Sequence, residues 1–302
     1  MKALHHILPH AHWQDAPSAQ AWAAWRSGWQ LKHRWSWQPE HPLLPHEQAQ
    51  AHAAELHAQW PAWAARQTQS PEPCAWISPC HWQVDLHHVN MTPLPATELS
   101  DATSQALCHA LATLCQQDGW QLQWIDRHHW LLKADGLQDV HTVTPERALH
   151  NDLRAWMPES SARPALAAAL RRLMNEAPML FYEHAANTAH TAQGHPAINA
   201  IWIHGSGGPV APASQHVIVA QDMAWAARMQ QPQAWQQAWQ NVAQHWPQWQ
   251  SCIDQGLPLW LHVGGAQHAH SWQWVAPTRW RQALERLKPA RSTHPVVRWL
   301  QA

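Results

Sequence analysis

Gly205-Ser206-Gly207-Gly208, placed directly behind the β-branched run 198–204, is the first stretch whose residue types and spacing suggest chemistry. A glycine loop after a strand can turn backbone N–H groups toward a phosphate. It lacks the Lys of a P-loop and the spacing of a dinucleotide fingerprint, and Pro209 blocks a helix behind it. A plain tight turn is the alternative. Histidine offers a second chemistry through the close pairs His10 and His12, His87 and His88, His128 and His129, and His268 and His270. Among 27 histidines such pairs arise by chance, and neither HExxH spacing nor a matching carboxylate set accompanies them. Adventitious nickel or zinc affinity is expected, and no dedicated metal site. Nucleophilic triads get no support, because Gly205-Ser206-Gly207 is too short for a GxSxG elbow. Trp235, Trp239, Trp246 and Trp249 could stack on sugars or bases, but they share one helical face and read as packing.

The elements that would position these residues alternate between strand and helix. A short strand is expected over 4–8 and a helix over 16–29, followed by a Pro-broken stretch at 38–45. A second helix over 46–66, kinked at Pro61, ends in the polar, proline-containing segment 67–73, which is the best internal boundary. Beyond it come a strand pair or long bent strand at 74–84 and a Ser100-capped helix over 102–117 that stops at Gly119. A hairpin follows over 120–133, with period-two alternation in its first strand. A long helix at 163–183, bent or interrupted at Pro178, precedes strands at 198–204, 216–220 and 257–263. Helices at 222–229, 233–249 and 278–287 complete the pattern of a mixed α/β protein.

Composition narrows the function classes. The chain has 302 residues, of which 46% are hydrophobic, enough for a sizeable core and for one large or two modest domains. Lys and Arg number 19 against 20 Asp and Glu, so the footprint of a nucleic-acid or anionic-membrane binder is missing. The 25 Trp residues, against one Tyr and one Phe, sit inside periodic segments and read as a drift in residue usage. Cys74, Cys80, Cys108, Cys115 and Cys252 make an odd set without a CxxC pair, which fits a reducing compartment. With no secretory h-region in the first residues and no run of about 18 apolar residues, a soluble cytoplasmic protein is expected.

One stretch carries a family resemblance. Arg171-Arg172-Leu173-Met174-Asn175-Glu176, Met179-Leu180-Phe181-Tyr182, His184-Ala185-Ala186-Asn187, Gly194 and Asn199-Ala200-Ile201-Trp202-Ile203-His204-Gly205-Ser206-Gly207 together resemble the signature of bacterial RpfE-type regulatory proteins. Those proteins are similar to archaeal-type cofactor-independent phosphoglycerate mutases of the alkaline-phosphatase-like superfamily. The resemblance is strong over 170–207 and extends more weakly over 74–229, where Cys80-His81-Trp82-Gln83-Val84 and the hairpin fit the mutases' inserted domain. It implies an α/β fold: a mixed sheet with flanking helices, a reduced alkaline-phosphatase-like core, plus an inserted α+β subdomain. The domains that follow are 1–70 as the N-terminal part of the core, 74–214 as the inserted domain, and 215–302 as the return to the core.

The catalytic apparatus that the family implies is not matched. Such mutases use Asp and His ligands for two divalent metals and a Ser that takes the phosphoryl group, because the attacking and leaving oxygens both need stabilising. Here no Asp-Gly pair follows Ile7-Leu8-Pro9-His10, and Ser18, Ser27 and Ser36 lack carboxylate partners. From residue 257 onward the chain offers His262, His268, His270 and His294 with Glu285 as the one acid, and His190 stands where the family has an Arg. Hard cations require carboxylate oxygens. The expectation is therefore a regulatory or ligand-binding protein with no catalytic residues, no metal ligands and no cofactor. Its ligand-binding residues would be His184, Asn187, Asn199, His204, Ser206 and Gly207, facing a small phosphorylated ligand. The plain alternative is that Asn187 and Asn199 cap turns, His184 serves a helix C-terminus and Ser206 permits the turn. A protein partner through exposed Trp is a further expectation, with no nucleic acid and no membrane. The rival readings are an active mutase or phosphomonoesterase with a divalent metal drawn from the surplus histidines, and a purely structural partner-binding protein.

Overall fold

A computed structural model of the chain describes residues 3–11, 29–84, 88–92, 94, 99–149, 152–265 and 267–276. The helix expected over 278–287 and nearly all of that expected over 16–29 lie outside these residues, as do His12, Ser18, Ser27, His87, Glu285 and His294. In chain order the first elements are β1 (Leu4–Leu8), β2 (Trp29–Ser36), α1 (Pro45–Ala53), α2 (Trp63–Thr68), β3 (Cys74–Val84) and β4 (Val89–Thr92). Next come α3 (Asp101–Gln117), β5 (Gln121–Asp126), β6 (His129–Lys133), α4 (Pro145–Ala148), α5 (Pro164–Tyr182), α6 (Ala185–Ala192) and β7 (Ala200–Gly207). The series closes with β8 (His216–Val219), α7 (Gln221–Arg228), α8 (Pro232–Ala243), α9 (Trp246–Asp254), β9 (Leu259–Gly264) and β10 (His268–Trp274). The fold is mixed α/β, with two sheets and flanking helices.

The chain divides into two units, one made of 1–56 with 213–302 and the other of 57–212. In the first, the strand order is β2-β10-β9-β1-β8, with β8, β1 and β9 parallel and β10 and β2 antiparallel. Period-two alternation splits the sheet's residues between its faces. Leu4, Leu8, Leu259, Leu261 and Val263 pack with Met223, Trp235, Trp239, Val242 and Trp249 of α7, α8 and α9. The other face lies under α1. Neither β2 nor β10 is anticipated by the sequence, where 268–270 stands out as a histidine pair and Lys32 and Arg34 interrupt the apolar pattern of 29–36.

In the second unit β3 lies between β6 and β7 over its first residues, and its far end pairs with β4. Ala75 and Ile77 face a core shared with Trp130, Leu132, Trp202, Leu107, Leu111, Leu170 and Phe181, which draws in α3 and α5. Cys74 and Trp76 face the opposite way, onto Ala64 and Ala65 of α2. That packing explains why the unit boundary falls at 56/57 and not in the polar segment 67–73, since α2 belongs to the second unit. The expected helix over 46–66 is two helices, because Glu55 takes φ 55° just beyond α1 and the chain stays non-helical to Ala62. The one expected over 233–249 likewise divides into α8 and α9, with Pro247 in the first turn of α9.

The cap expected at Ser100 is present, and the interruption expected at Pro178 does not occur. Ser100 accepts a hydrogen bond from the Thr103 N–H at 3.1 Å, as an N-cap should, and α5 runs through Pro178. All five cysteines are free and buried, and burial pushes the Cys108 thiol up to about 12, which keeps it an inert thiol. No helix among the described residues is long and apolar enough to cross a membrane.

Candidate functional site

The glycine segment departs from the expected loop. Gly205, Ser206 and Gly207 continue β7, every residue of which is buried. Gly205 takes φ +62°, and the register with β3 shifts between the pairs Trp76–His204 and Cys74–Gly207, which is a β-bulge that only a glycine enters without strain. Gly207 is needed for a different reason: a Cβ there would stand 2.2 Å from the Cβ of Ala62. The backbone of this segment therefore packs against the start of α2.

The polar side chains around it are engaged within the unit. Asn187 Nδ2 donates to the Phe181 and Ile198 carbonyls at 2.9 and 3.0 Å, and its Oδ1 accepts from the Ile198 N–H at 3.0 Å. Asn199 clamps Trp82 in the same manner, accepting from its N–H at 2.6 Å and donating to its carbonyl at 2.9 Å. Ser206 Oγ donates to the Val140 carbonyl at 2.6 Å, and the Ser206 N–H donates to Thr142 Oγ1. His204 Nε2 lies 3.0 Å from Ser78 Oγ, and burial, then the nearby His129, lowers its pKa to about 3, so the ring stays neutral. His184 caps the start of α6 by accepting from the Ala186 N–H, instead of serving the end of the preceding helix. His204, Ser206 and Gly207 thus share one strand and Asn187 reaches the residue before Asn199. A ligand at this segment would have to compete with bonds already made.

A second concentration of chemistry-bearing side chains lies on the α1 face of the first unit's sheet. Register places His5 opposite Trp260, and Ser271 opposite both His262 and His33. His5 Nδ1 and His262 Nε2 are 2.9 Å apart, and His262 Nδ1 is hydrogen-bonded to Ser271 Oγ. The Trp260 ring stacks at 5.5 Å from His5 and 6.1 Å from His33, and His33 meets His52 of α1 at 4.7 Å. His5 and His262 are buried, whereas His33 and His52 are exposed, so imidazoles lead from the surface into the sheet.

Electrostatics keep the buried end of this chain neutral. Burial, reinforced by His52 and opposed by Glu55, lowers His5 to about 4, and burial with the surrounding histidines holds His262 well below the usual range. Two tautomeric arrangements satisfy the Ser271–His262–His5 chain. In one, Ser271 donates to His262 and His262 donates to His5; in the other, each bond reverses and leaves His5 Nε2 as a free base. The arrangement can pass a proton between the surface and the sheet or present a neutral nitrogen to a ligand. Ser271 is fully buried, so its hydroxyl, able to donate or accept, serves either His262 tautomer and meets no substrate. Sequence reasoning passes over His5, His33 and His52; the available signal was an imidazole at 5 and another at 262, each inside a short apolar strand.

Carboxylates are missing from the same sheet. The acidic residues described in this unit are Glu40, Glu47, Glu55, Asp222 and Asp254, and none lies on a strand. Glu47 accepts from the Leu44 N–H, Glu55 from Ser214, and Asp222 from Asn241. On the opposite face His6 is 1% exposed with neither ring nitrogen hydrogen-bonded, an arrangement that costs about 1–3 kcal/mol per unmet group.

No protein-family profile matches the chain, and no curated protein is similar to it in sequence. The solved structures that match the chain include two that show the degree of likeness. One is the cofactor-independent phosphoglycerate mutase from Thermoplasma acidophilum DSM 1728, at 9% identity and a TM-score of 0.37 over 92% of this chain and 91% of that one. The other is the PH0037 protein from Pyrococcus horikoshii, at 9% identity and a TM-score of 0.47 over 92% of this chain and 88% of that one.

Proposed function

We propose that this chain is a regulatory or ligand-binding protein of RpfE type, built on a phosphoglycerate-mutase-like plan and without metal-dependent phosphotransfer. The observation that carries this reading is the donor set of the first unit among the described residues: five strands without a carboxylate, with the buried, neutral imidazoles of His5 and His262 on one face. Two-metal phosphoryl transfer needs hard cations held by carboxylate oxygens close to the attacking and leaving oxygens. Histidine nitrogens kept uncharged by burial favour softer partners and supply no negative charge to hold magnesium or manganese. The resemblance of 170–207 to the RpfE-type signature supports the regulatory assignment.

The test is an interconversion assay with 2- and 3-phosphoglycerate in the presence of manganese, magnesium or zinc, run beside a phosphomonoesterase assay. No turnover is expected under any of these conditions. Turnover that a chelator abolishes would overturn the reading. A shift of the unfolding transition by 3-phosphoglycerate, without turnover, is the expected sign of ligand binding.

A further inference from the structure

His6 stands in the middle of β1 on the face opposite His5, and its ring centre is 4.7 Å from that of His245 and 5.2 Å from that of Trp249, each set edge-on. His245 is the residue before α9, is half-buried, and makes no capping hydrogen bond with its side chain. A buried imidazole without partners thus meets a second imidazole that opens toward solvent. We propose that His6 and His245 form a two-imidazole site for one borderline transition-metal ion, of the class of Zn²⁺, Cu²⁺ or Ni²⁺, with solvent completing the coordination.

The spacing fits. Two imidazoles that bind one ion at about 2.0–2.1 Å per nitrogen place their ring centres about 4.5–5.2 Å apart for bite angles of about 90–110°. Each ring can rotate about its own metal–nitrogen bond, so the edge-on arrangement of 81° between the planes is compatible with that angle. His6 is buried and neither of its ring nitrogens is hydrogen-bonded, so no protein donor competes for its lone pair. The donors are nitrogen only, on a sheet without carboxylates, which disfavours magnesium and calcium and favours the later first-row ions. The bound ion would tie β1 to the turn between α8 and α9, so its role is structural and independent of whether the chain turns over phosphoglycerate.

Titration of the untagged, metal-stripped protein with Zn²⁺ by calorimetry, and with Cu²⁺ by electron paramagnetic resonance, tests the assignment. One tightly held equivalent is expected, with a nitrogen hyperfine pattern from two imidazoles in the copper spectrum. That equivalent should disappear in His245→Ala and in His6→Leu and remain in His109→Ala, whose histidine is exposed on α3. If His6→Leu does not fold, His245→Ala at the half-buried position carries the test alone. Zn²⁺ should also raise the unfolding temperature of the wild-type chain and leave that of His245→Ala unchanged. Equal tight binding by wild type and His245→Ala, or an equal loss in His109→Ala, would overturn the proposal and leave only adventitious uptake by surface histidines.

Discussion

Gly207 has no room for even a methyl group, since an added Cβ would lie 2.2 Å from one atom of Ala62 and 2.8 Å from another. Gly207→Ala should cost about 1–3 kcal/mol by overpacking, seen as a lower denaturation midpoint with an unchanged slope. Asn187 matters through hydrogen bonds that join the end of α5 to the residue entering β7, and Asn187→Ala leaves three backbone groups without that partner. A loss of about 1–3 kcal/mol is expected, and Asn187→Asp should recover little because it can accept from Ile198 but cannot donate. His204 sets a pH dependence. Its folded pKa of about 3 lies below the ordinary 6.5, so the unfolded chain binds the proton first, and stability is intact above about pH 6.5 and declines as pH falls toward 3. Denaturant titrations at pH 7, 5.5 and 4 should show that decline, and His204→Gln should make it shallower.

At the scale of elements, the clearest sequence signals came from segments where local and tertiary preferences agree. The Ser100 cap, the Leu107 and Leu111 stripe and the Gly119 stop define α3, and Ser100→Ala should cost about 0.5–2 kcal/mol, measurable by urea denaturation. The hairpin of β5 and β6 was legible from the alternation around Trp124, and β1, β3, β8 and β9 from their apolar runs. What was not legible depended on partners far away in sequence. β2 carries Lys32, His33 and Arg34 and becomes a strand because β10 offers it an edge, so nothing within 29–36 announces it. The glycine segment looked like a turn because Gly and Ser favour turns, yet pairing with β3 holds it extended with one bulge. The imidazole face was hidden for the same reason. His5, His33 and His262 lie far apart in the chain and meet only through sheet register, whereas close spacing in sequence drew attention to other histidine pairs.

At the scale of the whole molecule, the two units have separate cores: the apolar clusters of 57–212 draw on no residue of 1–56 or 213–302, and the reverse also holds. Residues 57–212 expressed alone should therefore fold and unfold in one cooperative transition, with coincident far-UV and tryptophan-fluorescence curves; a non-cooperative melt would show that its core is insufficient. The other unit is discontinuous, and its central pairing joins Leu4 to Leu259. During synthesis at about 5–20 residues per second, β1 must wait for about 250 further residues, which is tens of seconds, before its partner β9 emerges from the ribosome. Until β8 emerges, about 210 residues after β1, the apolar Leu4, Ile7 and Leu8 have no strand to pair with, while residues 57–212 can already have folded. The nascent N-terminal segment is thus a natural client for a chaperone, and the yield of native protein becomes a matter of translation speed as much as of final stability.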